Sequence, residues 1–199
     1  MSAIRAKLLK VNFDHLYFPN AKHCNDGSMG REIENELRRQ GFNVRSDSVI
    51  DMPDLLLEIK TRKSSSSAAH TVGTMTHTNI LANSWDKTSF KQKLQSQYRV
   101  IIDVETGKVG KAAVVHFHDD PDLQNELRKA YEDARSILHD HYFQTGTILE
   151  SCSIKSSKNS PAFLEYKDGN SYAFRITDCG MKRFIQMAGT APVFNSLFE

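Results

Sequence analysis

Cysteine is scarce and scattered in this chain. The three present, Cys24, Cys152 and Cys179, are odd in number and far apart. That argues against a disulfide framework and against a Cys-x-x-Cys zinc site. Long hydrophobic runs are also missing. No stretch approaches the ~20 apolar residues that span a bilayer, so no membrane partner is expected. The opening MSAIRAKLLKVNF has no extended apolar core and no small-residue cleavage site, so an intracellular, cytoplasmic protein is expected. An excess of charge of one sign is absent too: the formal net charge is +2. A protein that coats nucleic acid would be more basic, but an enzyme with a local basic cleft need not be. There is no internal repeat, and the serines at 64–67 are the only low-complexity segment.

What is present suits a folded core. Hydrophobic residues make up 39% and charged residues 25% of 199 residues. This fits one α/β domain, or one domain with two lobes around a cleft.

The clearest helix signal begins at Asp26-Gly27-Ser28 and ends at Gly41. Ile33 and Leu37 are spaced to share a buried stripe, with arginines gathered late. Glu32 and Glu36 read as exposed helix acids. Strand patterns follow at Phe42–Arg45, at Val49–Asp54 and at Leu55–Thr61. Residues 62–84, rich in Ser, Thr and His, read as a long loop or lid. Trp85–Gln97 reads as helix. Tyr98–Glu105 and Lys111–His118 read as a hairpin around Thr106-Gly107. Asp119-Asp120-Pro121 opens a long helix with the stripe Leu123, Leu127, Ala130, Ala134, Ile137 and Leu138. Thr147–Leu149, Ala162–Tyr166 and Tyr172–Ile176 are strand-like, with a turn at Asp168-Gly169-Asn170.

The chemistry sits in Asp51–Lys60. Phosphodiester hydrolysis at neutral pH calls for a metal that activates water, oxygen ligands to hold it, and a cation for the nucleophile or the developing charge. Glu58 and Lys60, two apart on a strand, project to the same face. A hairpin-like return through Met52-Pro53-Asp54 would bring the Asp51 carboxylate near Glu58. Asp54 is the alternative. On a straight strand, however, it would lie about 13 Å from Glu58 at ~3.3 Å per residue, too far to share a metal. His116-x-His118 has metal-like spacing but no matched third ligand. His70, His77, His116, His118, His139 and His141 therefore read as core or surface histidines.

The ordered set Gly30-x-x-x-Glu34-x-x-Leu37, Asp51, Glu58-Ile59-Lys60-Thr61, Trp85-Asp86-Lys87-Thr88-Ser89 and Lys93-Leu94 resembles the MutH and type II restriction endonuclease family of PD-(D/E)xK nucleases. The likeness covers roughly residues 27–140 and weakens toward the C-terminus. It implies a restriction-endonuclease-like mixed central β-sheet flanked by helices, with a DNA-binding cleft. It also implies a magnesium-dependent endonuclease acting on double-stranded DNA and leaving a 5′-phosphate. Residue by residue, it makes Asp51 and Glu58 the metal carboxylates, Glu34 an assisting helix glutamate, and Lys60 and Lys93 the active-site lysines. Arg175, Lys182 and Arg183 are candidate DNA contacts. The residues of the loop at 62–84 have no counterpart, which leans the reading toward a sequence-specific restriction enzyme, a homodimer or a monomer acting by sequential nicking. The alternatives are a strand-nicking mismatch-repair enzyme and a non-catalytic DNA-binding module.

Overall fold

A computed structural model describes the chain except for residues 1–6, 9, 25, 66–68, 117–119, 178 and 182–199. The described residues form a mixed α/β fold with two three-stranded sheets. The described residues within 1–67 and 95–116 form one compact unit, and those within 68–94 and 117–187 form another. The single central sheet expected from the sequence is thus two sheets. One strand pair of the second joins His70–Thr76 to Ser171–Ile176, about a hundred residues away in the chain, where local patterning carries no signal.

In the first unit, helix α1 (Asp26–Arg39) buries Met29, Ile33 and Leu37 along one stripe. It ends where Gly41 turns to a positive φ of 81° and Phe42 N–H reaches back to the Leu37 carbonyl at 3.0 Å. Such a left-handed residue after a helix favours glycine, which has no Cβ to clash. Glu36 is not the exposed acid its position suggested; it is 3% exposed. Its carboxylate accepts bonds from Gln40 at 2.7 Å and Arg39 at 2.9 Å, with the His15 ring 2.9 Å away. The Gln40 bond, helped by His15 and Arg39, holds this carboxyl below its ordinary range despite burial. A buried acid is tolerated when its oxygens are this well bonded.

The sheet of this unit has strands in the order β1 (Glu58–Lys63), β3 (Ser96–Ile102), β4 (Val109–His116). β1 and β3 run parallel, so the chain must leave the sheet between them, and it builds β2 (His70–Thr76), α2 (His77–Ala82) and α3 (Ser89–Leu94) before returning. β3 and β4 form the expected hairpin, shifted about two residues toward the N-terminus. Its turn holds Gly107 at φ 66°, where a Cβ would stand 2.7 Å from the Phe18 carbonyl oxygen. Ile59, Tyr98, Val100 and Ile102 join the α1 residues in one core. Tyr98 is buried and its hydroxyl donates to the Leu8 carbonyl at 3.3 Å; burial pushes that phenol well above its ordinary pKa.

Phe42–Arg45 is not a strand. Phe42 and Val44 alternate inward, but the stretch is held by scattered bonds and not by a strand ladder: Arg45 N–H to the Asp51 carbonyl, the Arg38 guanidinium to the Val44 carbonyl and the Asn43 side chain to the Asp54 carboxylate. The run Leu55–Thr61 is likewise not one strand, because Pro53–Leu55 forms a 3-10 turn and pairing begins only at Glu58.

In the second unit, β2, β6 (Ser171–Ile176) and β5 (Ala162–Lys167) form an antiparallel sheet in that order. The expected loop at 62–84 is therefore mostly regular structure: the end of β1, then β2, then α2. Thr76 caps α2 by accepting the Asn79 N–H at 3.3 Å. Trp85–Gln97, read as helix, divides into a 3-10 turn at Trp85–Lys87, α3, and the start of β3. Helix α4 (Pro121–Thr145) starts as expected, with Asp120 accepting the Leu123 N–H at 2.9 Å, and ends at Gly146. Its stripe of Leu123, Leu127, Ala130, Ala134 and Leu138 is buried, and Tyr131 joins Trp85, Phe90 and Phe174 in an aromatic core. The Arg135 guanidinium donates to the Ile80 and Leu81 carbonyls at the end of α2, at 3.0 and 2.7 Å, where a cation also meets the negative helix end. β5 and β6 are joined through Gly169 and Asn170, both at positive φ.

His77 is 6% exposed, packed against Tyr142 and Tyr172 at ring distances of 5.1 and 6.0 Å. Its Nε2 has no hydrogen-bond partner among the described residues. Burial, with the nearby His141 charge, pulls its pKa below the ordinary 6.5. The folded ring stays neutral where the unfolded one takes a proton, so the unfolded state binds more protons as the pH drops below 6.5. Stability contributed here is complete above that pH and declines below it. Melting temperatures followed from about pH 8 down to about pH 5 are expected to fall less steeply for His77→Phe than for the wild type. Parallel curves would rule out His77 as the source of the acid sensitivity.

Candidate functional site

The start of β1 brings together two of the acidic residues singled out in the sequence, Asp51 and Glu58. Met52 and Leu57 pair as an isolated antiparallel bridge, exchanging N–H to carbonyl bonds of 2.9 and 3.2 Å. Between them the chain makes the Pro53–Leu55 turn and passes through Leu56 in the left-handed region at φ 53°. A leucine there is strained by its Cβ, and such strain persists only where the surroundings impose it. The return brings Asp51 alongside β1: its Oδ2 accepts the Ile59 N–H at 2.8 Å. This is the hairpin-like route that the sequence suggested. Asp54 lies on the exposed tip of the turn, where its carboxylate accepts from the Asn43 side chain at 3.0 Å. Asp51, and not Asp54, is the acid that reaches the start of β1.

Glu58 and Lys60 share a face of β1, and the Lys60 ammonium donates to Glu58 Oε1 at 2.8 Å. Glu58 is 1% exposed, whereas a quarter of the Lys60 side chain remains accessible. A carboxylate this deeply buried costs several kcal/mol of desolvation, offset only by partners such as this ammonium. The opposite face of β1, with Ile59, packs on the core under α1, and Gly30 of α1 sits close to Thr61. Glu34 lies one turn beyond Gly30 on that helix, and its carboxylate accepts from Arg38 at 3.2 Å.

The neighbouring strand contributes residues that sequence reading passed over. In the parallel register Glu58 pairs with Gln97 and Lys60 with Arg99. Gln97 Oε1 accepts from Arg99 Nε at 3.1 Å and from its Nη2 at 2.9 Å. Both residues are buried, and burial together with the like charge of Arg62 pulls the Arg99 guanidinium down to about 9, still charged at neutral pH. The signal was in the sequence as a coincidence of two alternations. Glu58-x-Lys60-x-Arg62 and Gln97-x-Arg99 each place polar groups at every second position of a strand, but only the pairing register shows that the two rows meet.

Lys93 and Arg175 stand in the second unit. Lys93 lies in the last turn of α3 and is half-buried. Arg175 on β6 is held inside its own sheet, pairing with Glu165 and donating to the Ala69 carbonyl at 2.7 Å. Against the burial that would raise it, Arg175 and Lys167 hold the Glu165 carboxyl below its ordinary range. Lys182, Arg183 and His118 lie outside the described residues, as does the side chain of His116. His70 and His77 are buried.

Magnesium is the cofactor implied by the resemblance, and the donor chemistry at the start of β1 fits it. Two carboxylates, Asp51 and Glu58, supply hard oxygen atoms. Among the described residues no group of three or more His, Cys, Asp or Glu side chains gathers as a metal cage. Magnesium bound through one or two carboxylates, with water and substrate phosphate completing its sphere, needs no such cage. No helix among the described residues is long and apolar enough to cross a membrane. No protein-family model matches the chain, and no curated protein matches it.

Proposed function

We propose that the chain is a magnesium-dependent endonuclease acting on double-stranded DNA, of the PD-(D/E)xK type, with the sequence-specific double-strand cleavage of a type II restriction enzyme. The observation that carries this reading is the junction of Asp51, Glu58 and Lys60. An aspartate from a turn bonds the backbone beside a buried glutamate, and that glutamate is paired with a partly accessible lysine on the same strand face. The restriction-endonuclease-like fold and its DNA-binding cleft belong to the same proposal.

In this reading Asp51 and Glu58 hold the magnesium. When bound, the ion supplies positive charge for the reacting phosphate and acidifies water. The residues do the rest. Lys60 donates one N–H to Glu58, and an ammonium has two further donors with which to orient the attacking water. Lys93 steadies the scissile phosphate, whose negative charge grows as the bond to the leaving oxygen breaks. Glu34 assists through ordered water. The water oxygen bonds to phosphorus and releases its proton to solvent, the bond to the 3′ oxygen breaks and that oxygen takes up a proton from solvent, and the 5′ phosphate stays on the other fragment.

The test is incubation of the purified chain with supercoiled plasmid and phage DNA of mixed sequence, in magnesium or in chelator. Discrete magnesium-dependent fragments and linear plasmid are expected. Open circles alone would move the reading to a nicking enzyme. Tight binding with intact DNA in every lane would favour a non-catalytic DNA-binding module.

A further inference from the structure

Gly73 occupies an odd place for a glycine. It lies inside β2, where a glycine weakens a strand by its backbone freedom and contributes nothing to packing. Its φ is not in the left-handed region, which among the described glycines holds only Gly41, Gly107, Gly146 and Gly169. The backbone would therefore accept alanine, and on entropic grounds alanine would be the more stable choice. The space is tight. A Cβ at residue 73 would stand 3.2 Å from Lys93 Cδ, and 3.6 Å from both Lys93 Cε and Phe90 Cδ1.

The surroundings are rigid on every side but one. Gly73 pairs in register with Phe174, and the β2–β6 ladder slips at this point, between Thr71 and Gly73. Phe90, fully buried on α3, stacks on Phe174 at 5.3 Å. Phe90 and Lys93 are three residues apart and so share a face of α3. The lysine stem is the nearest neighbour of the missing Cβ, and it is the more flexible of the two side chains. A glycine inside a strand marks a close approach, and here what approaches is the aliphatic stem of Lys93.

We propose that Gly73 is a positioning residue for Lys93: the bare backbone at the ladder slip is a seat that fixes the course of the lysine stem, and so the place of its ammonium. This inference rests on the nuclease reading, in which Lys93 meets the scissile phosphate. Any side chain at position 73 would lift the stem by some tenths of an ångström and swing the ammonium further. Misplacing a reacting group by about 1 Å can cost on the order of a hundredfold in rate.

The experiment is a double-mutant cycle on magnesium-dependent plasmid cleavage, with kcat and KM measured separately and the melting temperature of each variant recorded. The proteins are wild type, Gly73→Ala, Lys93→Ala and the double variant. For Gly73→Ala, kcat should fall at least about tenfold with KM little changed, and the melting temperature should stay the same or rise. In the Lys93→Ala background the same change should have no further effect on kcat, because its route of action is gone. Gly73→Ala cleaving like the wild type would overturn the inference, as would losses that multiply in the double variant. Lys93→Ala cleaving like the wild type would overturn it while leaving the nuclease reading intact. A wild type that cuts no DNA would instead remove the nuclease reading, and this inference with it.

Discussion

Glu58→Gln is expected to abolish DNA cleavage while leaving the protein folded. Glutamine matches glutamate in shape but carries no charge and is a poor magnesium ligand. The stabilisation a Lewis acid gives a transferring phosphoryl group is several kcal/mol, and each 1.4 kcal/mol is a factor of ten in rate. A loss of about 10³-fold or more should follow. The fold should not suffer, because Glu58 is 1% exposed and its negative charge is held there at a desolvation cost. Removing that charge relieves the cost, and Lys60, a quarter exposed, can turn to water. A melting temperature within a few degrees of wild type, together with near-complete loss of cleavage, is the pattern of an acid kept for function. Asp51→Asn should lose activity too but hold its loop, since an amide oxygen can still accept the Ile59 N–H. If Glu58→Gln cuts DNA at the wild-type rate, Glu58 holds no catalytic metal.

Lys60→Met should have the opposite effect on stability. The ammonium that donates to Glu58 at 2.8 Å disappears, and the buried carboxylate loses its cation. Breaking a buried pair from one side typically costs 3–5 kcal/mol. Partial exposure of Lys60 lowers the expected cost to about 2–3 kcal/mol, or roughly 5–10 °C in melting temperature. Magnesium should restore part of this. An ion that binds only the folded state stabilises it, and binding tightens when the competing ammonium is gone. The rise in melting temperature between chelator and magnesium should therefore be larger for Lys60→Met than for wild type. Equal rises would show that magnesium does not bind beside Glu58.

The parts of the fold legible in the sequence are those set by neighbours in the chain. The Gly41 end of α1, the Asp120 cap of α4, the stripes of both helices, the β3–β4 and β5–β6 hairpins, and the return that carries Asp51 back to β1 all depend on neighbours a few residues apart. What was hidden depends on distant partners. His70–Thr76 looks like a polar loop because its threonines and its histidine are hydrophilic, yet threonine is a good strand residue, and β6 supplies the ladder from about a hundred positions away. Leu55-Leu56-Leu57 promised a strand by composition alone. The proline and the Met52–Leu57 bridge turn it into a bend, and only that bend sends Asp51, not Asp54, to β1. Glu36 read as exposed because nothing in the helix pattern announces His15. At the site, Glu58 and Lys60 were visible as a strand pair, whereas Gln97 and Arg99 needed the parallel register to join them.

The measurement that tests the central claim most directly sets wild type and Lys60→Ala side by side on the same plasmid and phage DNA, with magnesium and with chelator, read on one gel. Discrete fragments from the wild type in magnesium, absent in chelator and absent from the variant in every lane, are the expected result. Fragments that persist in chelator, or that the variant produces as readily as the wild type, would contradict the assignment of Asp51, Glu58 and Lys60 as a metal-dependent phosphodiesterase centre.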